Sequence, residues 1–166
     1  MPWLTPDEHT RRVEEARDIA LRRLDRCAAP RAVLARTLER RGVDPRVAKE
    51  ALDRLEAAGV VDDRAYAAAL ARTRFAEKGA ARRAIAEELE RKGVGREAIG
   101  AALAQVDDEA EAAAALALAR RKLASTRDLE PAVRRRRALA LLGRKGYSAT
   151  AAADAVDAAW AEAEGA

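Results

Sequence analysis

One short motif, Leu38-Glu39-Arg40-Arg41-Gly42-Val43-Asp44, occurs in three versions along the chain. The second version is Leu89-Glu90-Arg91-Lys92-Gly93-Val94-Gly95, and the third is Leu142-Gly143-Arg144-Lys145-Gly146-Tyr147-Ser148. The three glycines are separated by 51 and 53 residues. A leucine, a basic pair, a glycine and a hydrophobic residue thus return at nearly equal spacing, which predicts three tandem units of about 50 residues each.

Each part of the motif is typical of the end of one helix and the start of the next. Two cations favour the negative end of the helix dipole, and a glycine after them takes the left-handed conformation while the following hydrophobic residue folds back. Asp44 before Pro45 predicts the N-cap of a new helix, and Ser148 is the matching cap in the third unit. A further amphipathic pattern precedes each motif, so each unit is predicted to contain three helices.

The composition favours small, closely packed helices. Hydrophobic residues make up 49% of the 166 residues, but 45 of them are alanine, and aromatic residues are only 3%. Alanine is the best helix former and has little surface to bury. We therefore expect an all-α fold of three tandem three-helix (helical-repeat) units that form an elongated, curved body. The expected division is a flexible N-terminal arm at 1–10, followed by units at 11–58, 59–106 and 107–166.

The residues that most enzymes and metal sites need are scarce. Cys27 is the only cysteine and His9 the only histidine, which argues against a zinc site or a histidine general base. Asp62 and Asp63 adjoin each other, but adjacent side chains at a helix start point apart, and N-capping explains them better than paired-carboxylate catalysis. We expect no catalytic residue, no bound metal and no cofactor. The lone cysteine and the lack of a long apolar run predict a cytoplasmic protein without a membrane partner.

The join between the first two units reads Gly59-Val60-Val61-Asp62-Asp63-Arg64-Ala65-Tyr66-Ala67, and a basic helix with Arg82-Arg83 and then Arg91-Lys92-Gly93-Val94 follows it. This stretch resembles the RecX family, bacterial regulators of the RecA recombinase. The resemblance covers roughly Ala16 to Val156. The third unit departs most from the family pattern, with a longer connection between its first two helices and an unbroken run of four arginines.

The resemblance implies a non-enzymatic monomer that binds the RecA–DNA filament. It would inhibit RecA ATP hydrolysis, strand exchange and filament growth, and so modulate DNA repair, DNA recombination and the SOS response. The protein would contact single- or double-stranded DNA through the filament, or would bind DNA weakly by itself. The alternative is a general nucleic-acid-binding helical module that acts without RecA.

The net charge of +4 conceals a separation of charge. Ten basic and two acidic residues lie between Arg120 and Lys145, and such clusters are either solvated helix faces or contacts for DNA phosphates or an acidic protein surface. The candidate RecA or DNA contacts are Arg82, Arg83, Arg91, Lys92, Arg134, Arg135, Arg136, Arg137, Arg144 and Lys145. The residues assigned to the structural motif are Gly42, Asp62, Asp63, Tyr66, Gly93 and Gly146.

The few aromatic residues are expected to serve packing. Tyr66, Phe75 and Tyr147 lie on apolar helical registers and are predicted to be in the core, and Trp160 is predicted to close the last unit. Trp3 precedes the repeats and is either a loose packing residue or a partner contact. Because base stacking needs an exposed aromatic platform, contact with phosphates or protein is favoured over sequence-specific reading of DNA.

Overall fold

The structure, a computed structural model, describes residues 7–165 as an all-helical protein. Residues 1–6 of the predicted arm, including Trp3, and residue 166 lie outside the described residues. The described residues contain no strand and nine helices, which confirms the predicted all-α class. The helices are α1 (Glu8–Leu24), α2 (Arg31–Arg40), α3 (Pro45–Ala57), α4 (Asp63–Lys78), α5 (Arg82–Arg91), α6 (Arg96–Leu103), α7 (Asp108–Ala124), α8 (Pro131–Arg144) and α9 (Ala149–Glu164).

The chain divides into two compact units. The first compact unit is the described part of Met1–Ala67 together with Leu89–Ile99, and within it α1, α2 and α3 pack against one another in pairs. The second compact unit is Ala68–Glu88 together with the described part of Gly100–Ala166, and within it α7, α8 and α9 pack in the same way. The division into three sequence repeats at 58/59 and 106/107 stays a prediction.

Helix α1 begins earlier than the sequence analysis placed it. The Asp7 side chain accepts a 2.7 Å hydrogen bond from the Thr10 backbone N–H and so caps the helix. His9 Nε2 lies 2.7 Å from a carboxylate oxygen of Glu50 on α3. The expectation of a flexible arm up to residue 10 is therefore wrong for residues 8–10, because a cap and a tertiary contact hold them in the first turn of α1.

The core of each compact unit combines a few leucines with many alanines. In the first, the fully buried residues include Leu34, Leu38, Leu52 and Leu55. In the second, Leu142 is fully buried. Each fully buried leucine contributes roughly 1.5–3 kcal/mol. The buried alanines beside them carry no long side chain, so the helices can approach closely; they include Ala16, Ala20, Ala51, Ala119, Ala138 and Ala152.

The repeated motif folds in the same way all three times. Gly42, Gly93 and Gly146 have φ angles of 74°, 83° and 93°, the left-handed conformation that the motif predicts. The N–H of Val43 donates a 3.1 Å hydrogen bond to the carbonyl of Leu38, and the equivalent bonds in the later repeats measure 3.1 and 3.2 Å. This bond closes the end of the helix and turns the hydrophobic residue back onto it. The Asp44 and Ser148 caps are also present.

Two of these glycines are also required by close packing. A Cβ on Gly93 would lie 2.5 Å from the Cβ of Ala32, and a Cβ on Gly146 would lie 2.5 Å from the Cβ of Ala84. A Cβ on Gly42 would meet nothing within 4 Å. The turns of the second and third repeats therefore seat directly on the early turns of α2 and α5.

We predict that Gly93→Ala destabilises the protein more than Gly42→Ala does. Both substitutions force an L residue into the left-handed region at a cost of about 1 kcal/mol. Gly93→Ala also overpacks the contact with Ala32, which adds roughly 1–3 kcal/mol. Urea unfolding followed by far-ultraviolet circular dichroism measures both losses, and equal losses for the two variants would contradict the packing explanation.

Candidate functional site

The first residue of α2, Arg31, is held by three carboxylates. Its backbone N–H donates a 2.7 Å hydrogen bond to Asp63 Oδ1 at the start of α4. Its guanidinium donates to Asp53 at 2.6 Å and to Glu56 at 2.8 Å, both on α3. All four residues belong to the first compact unit. We call this cluster, Arg31 with Asp53, Glu56 and Asp63, the first joint.

The first residue of α5, Arg82, is held in a related way. Its backbone N–H donates a 2.7 Å hydrogen bond to Glu111 Oε1 on α7, and its Nε donates to the other oxygen of that carboxylate at 3.0 Å. The guanidinium also pairs with Asp108. Hydrogen bonds to Asp108 and then to Glu111 raise the pKa of Arg82 further above its ordinary value. This cluster, Arg82 with Asp108 and Glu111, is the second joint, and it lies in the second compact unit.

Both joints satisfy a requirement of the helix start. The first N–H groups of a helix have no acceptor within the helix, and the positive end of the helix dipole favours a negative charge there. In α2 and α5 the preceding residues, Pro30 and Ala81, have no side chain that can accept a hydrogen bond. The acceptor is instead a carboxylate from the first helix of the following repeat, α4 for α2 and α7 for α5.

The adjacent aspartates therefore have different partners. Asp62 caps its own helix by accepting a 2.9 Å hydrogen bond from the Ala65 N–H, and Asp107 does the same for the Ala110 N–H at 2.7 Å. The second residue of each pair, Asp63 or Asp108, belongs to a joint. The expectation that N-capping explains both Asp62 and Asp63 holds for Asp62 and is wrong for Asp63, because the backbone N–H of Arg31 on an earlier helix reaches the Asp63 carboxylate.

Tyr147 adds further contacts beside the second joint. This side chain is buried, and its hydroxyl donates a 3.0 Å hydrogen bond to the Gly79 carbonyl. Burial and, to a lesser extent, the Glu111 charge raise the pKa of Tyr147 to about 12. The Ala81 N–H donates to the Lys145 carbonyl at 2.8 Å. The turn before α9 is thereby tied to the segment that leads into α5.

The run of four arginines on α8 has two members that serve the fold. Arg134 donates a 3.1 Å hydrogen bond to the Leu123 carbonyl at the end of α7, and its guanidinium lies 4.8 Å from the ring centre of Trp160 on α9. Arg135 forms an ion pair with Asp157 on α9. These two predicted contact residues hold α8 to its neighbours in the second compact unit.

The other two arginines of the run point away from such partners. Arg136 and Arg137 are exposed, and neither has an ion pair or hydrogen bond within residues 7–165; the same holds for Arg144. Arg137 and Arg144 are seven residues apart and so lie on the same side of α8, about 10 Å from each other along the axis. The exposed residues between these two arginines, Ala140 and Gly143, have little or no side chain, so the surface there does not protrude. We call Arg136, Arg137 and Arg144 the α8 arginine face.

Among the remaining predicted contacts, Arg91 is as open as this face and the others are not. Arg83 is exposed and lies 3.7 Å from Glu87 on its own helix. Arg91 is exposed and lacks a partner among the described residues, whereas Lys92 is half-buried and its carbonyl accepts a 3.3 Å hydrogen bond from Arg36. Lys145 is also half-buried.

The aromatic predictions hold only in part. Tyr147 is buried as expected, but Tyr66 and Phe75 are half-buried, so the expectation that all three are core residues is too broad. Trp160 packs against the core of the second compact unit.

The described part of the chain contains neither a membrane-spanning helix nor a metal-binding cluster. No helix there is long and apolar enough to cross a lipid bilayer. No group of three or more His, Cys, Asp or Glu side chains between residues 7 and 165 is arranged to hold a metal ion.

Family models match two stretches of the chain. Residues 62–103 match the model described as RecX, second three-helix domain, and residues 109–156 match RecX, third three-helix domain. A protein named regulatory protein RecX from Mycobacterium ulcerans is 44% identical over 146 residues, which are 87% of this chain and 84% of the relative. Its namesake from Streptomyces coelicolor is 43% identical over 136 residues, 82% of this chain and 72% of the relative.

Two solved structures share the fold. The crystal structure of RecX from Lactobacillus salivarius superposes with a TM-score of 0.75 at 18% identity and covers 92% of this chain and 96% of its own. A crystal structure of regulatory protein RecX gives a TM-score of 0.73 at 24% identity, over 86% of this chain and 70% of its own. At these identities the likeness shows a common helical architecture.

We predict that Glu111→Gln destabilises the second compact unit, because it removes the charge that binds both the backbone and the side chain of Arg82. Hydrogen bonds to charged groups contribute about 1.5–3 kcal/mol each, so the expected loss is about 2 kcal/mol. Glu109→Gln is the matched control, since Glu109 is exposed on the same helix and has no partner within residues 7–165. If urea unfolding gives the same midpoint for both variants, the second joint contributes nothing to stability.

We also predict a loss of stability at alkaline pH that depends on Tyr147. The pKa of Tyr147 is raised by burial to about 12 in the folded state, against 10.0 for a free tyrosine. The stability linked to this group is therefore complete below pH 10 and declines as the pH rises from 10 towards 12. Urea midpoints measured across this range should fall for the native chain and fall less for Tyr147→Phe. Parallel curves for the two proteins would show that another group is responsible.

Proposed function

The chain belongs to the RecX family of regulatory proteins, and we propose that it binds the RecA–DNA filament and inhibits RecA ATP hydrolysis, strand exchange and filament growth. In this role it modulates DNA repair, recombination and the SOS response without catalysing a reaction itself. The observation that carries the proposal is 44% identity to a regulatory protein RecX along 87% of the chain. A cytoplasmic location is part of the same proposal, since RecA and its DNA would be met there.

We propose the α8 arginine face as one contact surface for the filament. A guanidinium presents a planar fork of donors that fits either a phosphate or a carboxylate. Arg136, Arg137 and Arg144 are exposed and carry no ion pair within the described residues, so no internal contact must break before they bind. Arg134 and Arg135 are already engaged within the fold, which removes them from the set of proposed filament contacts.

Inhibition follows from binding alone under this proposal. A ligand shifts a conformational equilibrium by the difference between its affinities for the two states. A protein that binds the inactive arrangement of the filament more tightly than the active one lowers ATP turnover without any catalytic group. Such a role needs neither histidine nor cysteine chemistry, so it is compatible with a chain that has one residue of each type.

The test reverses the charge only of exposed arginines that have no ion pair within the described residues. We expect Arg136→Glu with Arg137→Glu to weaken binding to RecA-coated single strands by at least about tenfold, since two charge-assisted hydrogen bonds are lost. Fluorescence anisotropy on coated strands and the RecA ATPase rate are the two readouts. The matched control is Arg11→Glu with Arg12→Glu, an exposed adjacent pair on α1 whose side chains likewise form no ion pair or hydrogen bond in residues 7–165.

Two outcomes would contradict parts of this proposal. Failure of the native chain to slow RecA ATP hydrolysis at several-fold molar excess would remove the inhibitory function. Equal losses for the α8 pair and the α1 pair would show that overall charge, and not the α8 arginine face, sets the affinity. Native protein that binds bare strands as tightly as coated strands at physiological salt would instead support a general nucleic-acid-binding module.

A further inference from the structure

A second arginine cluster lies in the first compact unit, and of its three members only Arg41 belongs to the repeated sequence motif. A cleft of about 570 Å³ opens between the ends of α1 and α2, and Ile19, Arg22, Arg26, Thr37 and Arg41 line it. Arg22 is in the last turn of α1, Arg26 follows that helix, and Arg41 is the C-cap of α2. The tertiary fold brings together three guanidiniums that are up to 19 residues apart in sequence.

These three arginines lack anionic partners. All three are exposed, and none of their side chains has an ion pair or hydrogen bond within residues 7–165. Neighbouring arginines behave differently, because Arg17 pairs with Glu14 and Arg31 is held in the first joint. The cleft therefore gathers three positive charges that the described fold does not neutralise.

Helix-end electrostatics do not account for all three charges. A cation near the last carbonyls of a helix is favourable, and Arg23 already fills that role by donating a 2.8 Å hydrogen bond to the Cys27 carbonyl after α1. Arg22 in the last turn of α1 and Arg41 at the end of α2 are also favoured by a helix end, but Arg26 is not, and helix ends do not require the arginines of two helices to line one cleft. Their convergence on one opening is typical of a site for an oxyanion with several oxygens.

Comparison with the next repeat shows that the cluster is specific to this place. A shift of 51 residues, the spacing of Gly42 and Gly93, places Glu77 at the position of Arg26 and Glu88 at the position of Thr37. Glu88 accepts two 2.7 Å hydrogen bonds from Arg74, so the second repeat carries an internal ion pair here. The first repeat has arginine and threonine where the second has carboxylates, which leaves its charge available to an external anion.

We propose that the cleft lined by Arg22, Arg26 and Arg41 binds phosphodiester groups of a nucleic-acid strand. The choice of nucleic acid rests on the proposed function, since a protein on the filament meets DNA. The surface also favours it over a lipid headgroup, because Val60 is the one large hydrophobic side chain exposed among residues 7–165 and a membrane-bound surface needs apolar anchors.

The experiment uses the full chain and a labelled single-stranded oligonucleotide, without RecA. The cleft variant combines Arg22→Gln, Arg26→Gln and Arg41→Gln. The control combines Arg11→Gln, Arg12→Gln and Arg46→Gln, which removes the same charge from exposed side chains that form no ion pair or hydrogen bond in the described chain. Affinity is measured by fluorescence anisotropy between 50 and 200 mM salt, and circular dichroism melting establishes that both variants are folded.

The cleft variant should bind about tenfold or more weakly at 50 mM salt, and its plot of log affinity against log salt should be shallower by about 2, the loss of three phosphate contacts on a single strand. The control should keep nearly the native slope. Equal effects of the two variants, or no binding by the native chain at 50 mM salt, would overturn the proposal.

Two competitors distinguish the source of the phosphate. Inorganic phosphate at low millimolar concentration should not displace the oligonucleotide, because a strand brings several linked phosphates to the protein and a free ion brings only one. Displacement at that concentration would assign the cleft to a free anion. Vesicles containing anionic lipid that bind the native chain and not the cleft variant would assign it to a membrane, and either result would overturn the proposal. Because RecA is absent, a failure here leaves the ATPase test of the proposed function unaffected.

Discussion

A carboxylate that caps a helix from outside its own repeat is the contact on which this architecture depends. Asp63 does so for α2 and Glu111 for α5, and each accepts a backbone N–H at 2.7 Å. A chain with 45 alanines has few large side chains with which to fix the relation between successive helices. The joints add directional hydrogen bonds at the starts of α2 and α5, and the turn glycines Gly93 and Gly146 allow a close approach to the early turns of the same two helices.

The local parts of this arrangement could be predicted from the sequence. The Gly42 motif and the Asp44 and Ser148 caps depend on residues within about one helical turn, and all of them fold as expected. The partners of Arg82 could not be predicted in the same way, because Asp108 and Glu111 follow it by 26 and 29 residues. One signal was available: arginine occurs eleven residues before the turn glycine in both of the first two repeats.

The roles of the clustered basic residues could not be predicted from the sequence either, because their partners lie on other helices. Four consecutive arginines look equivalent in a sequence, yet the helix distributes them around its circumference and only the neighbouring elements decide their roles. Arg134 meets a carbonyl and an indole, and Arg135 meets Asp157, while Arg136 and Arg137 meet none of the described side chains. The candidate surface therefore consists of the arginines that have no partner within the described fold. A count of the charges in the sequence could not identify them.

Helix α8 differs from α2 and α5 at its first residue. Pro131 stands there, its N-cap Glu130 makes no side-chain cap bond, and proline has no N–H to be satisfied. The joints run in one direction, since each uses an amide of an earlier helix and a carboxylate of a later one. At α8 that amide is absent, so the backbone hydrogen bond of the joints has no counterpart at this helix start. A single proline thus changes how the second helix of a repeat can be held, through the backbone of one residue.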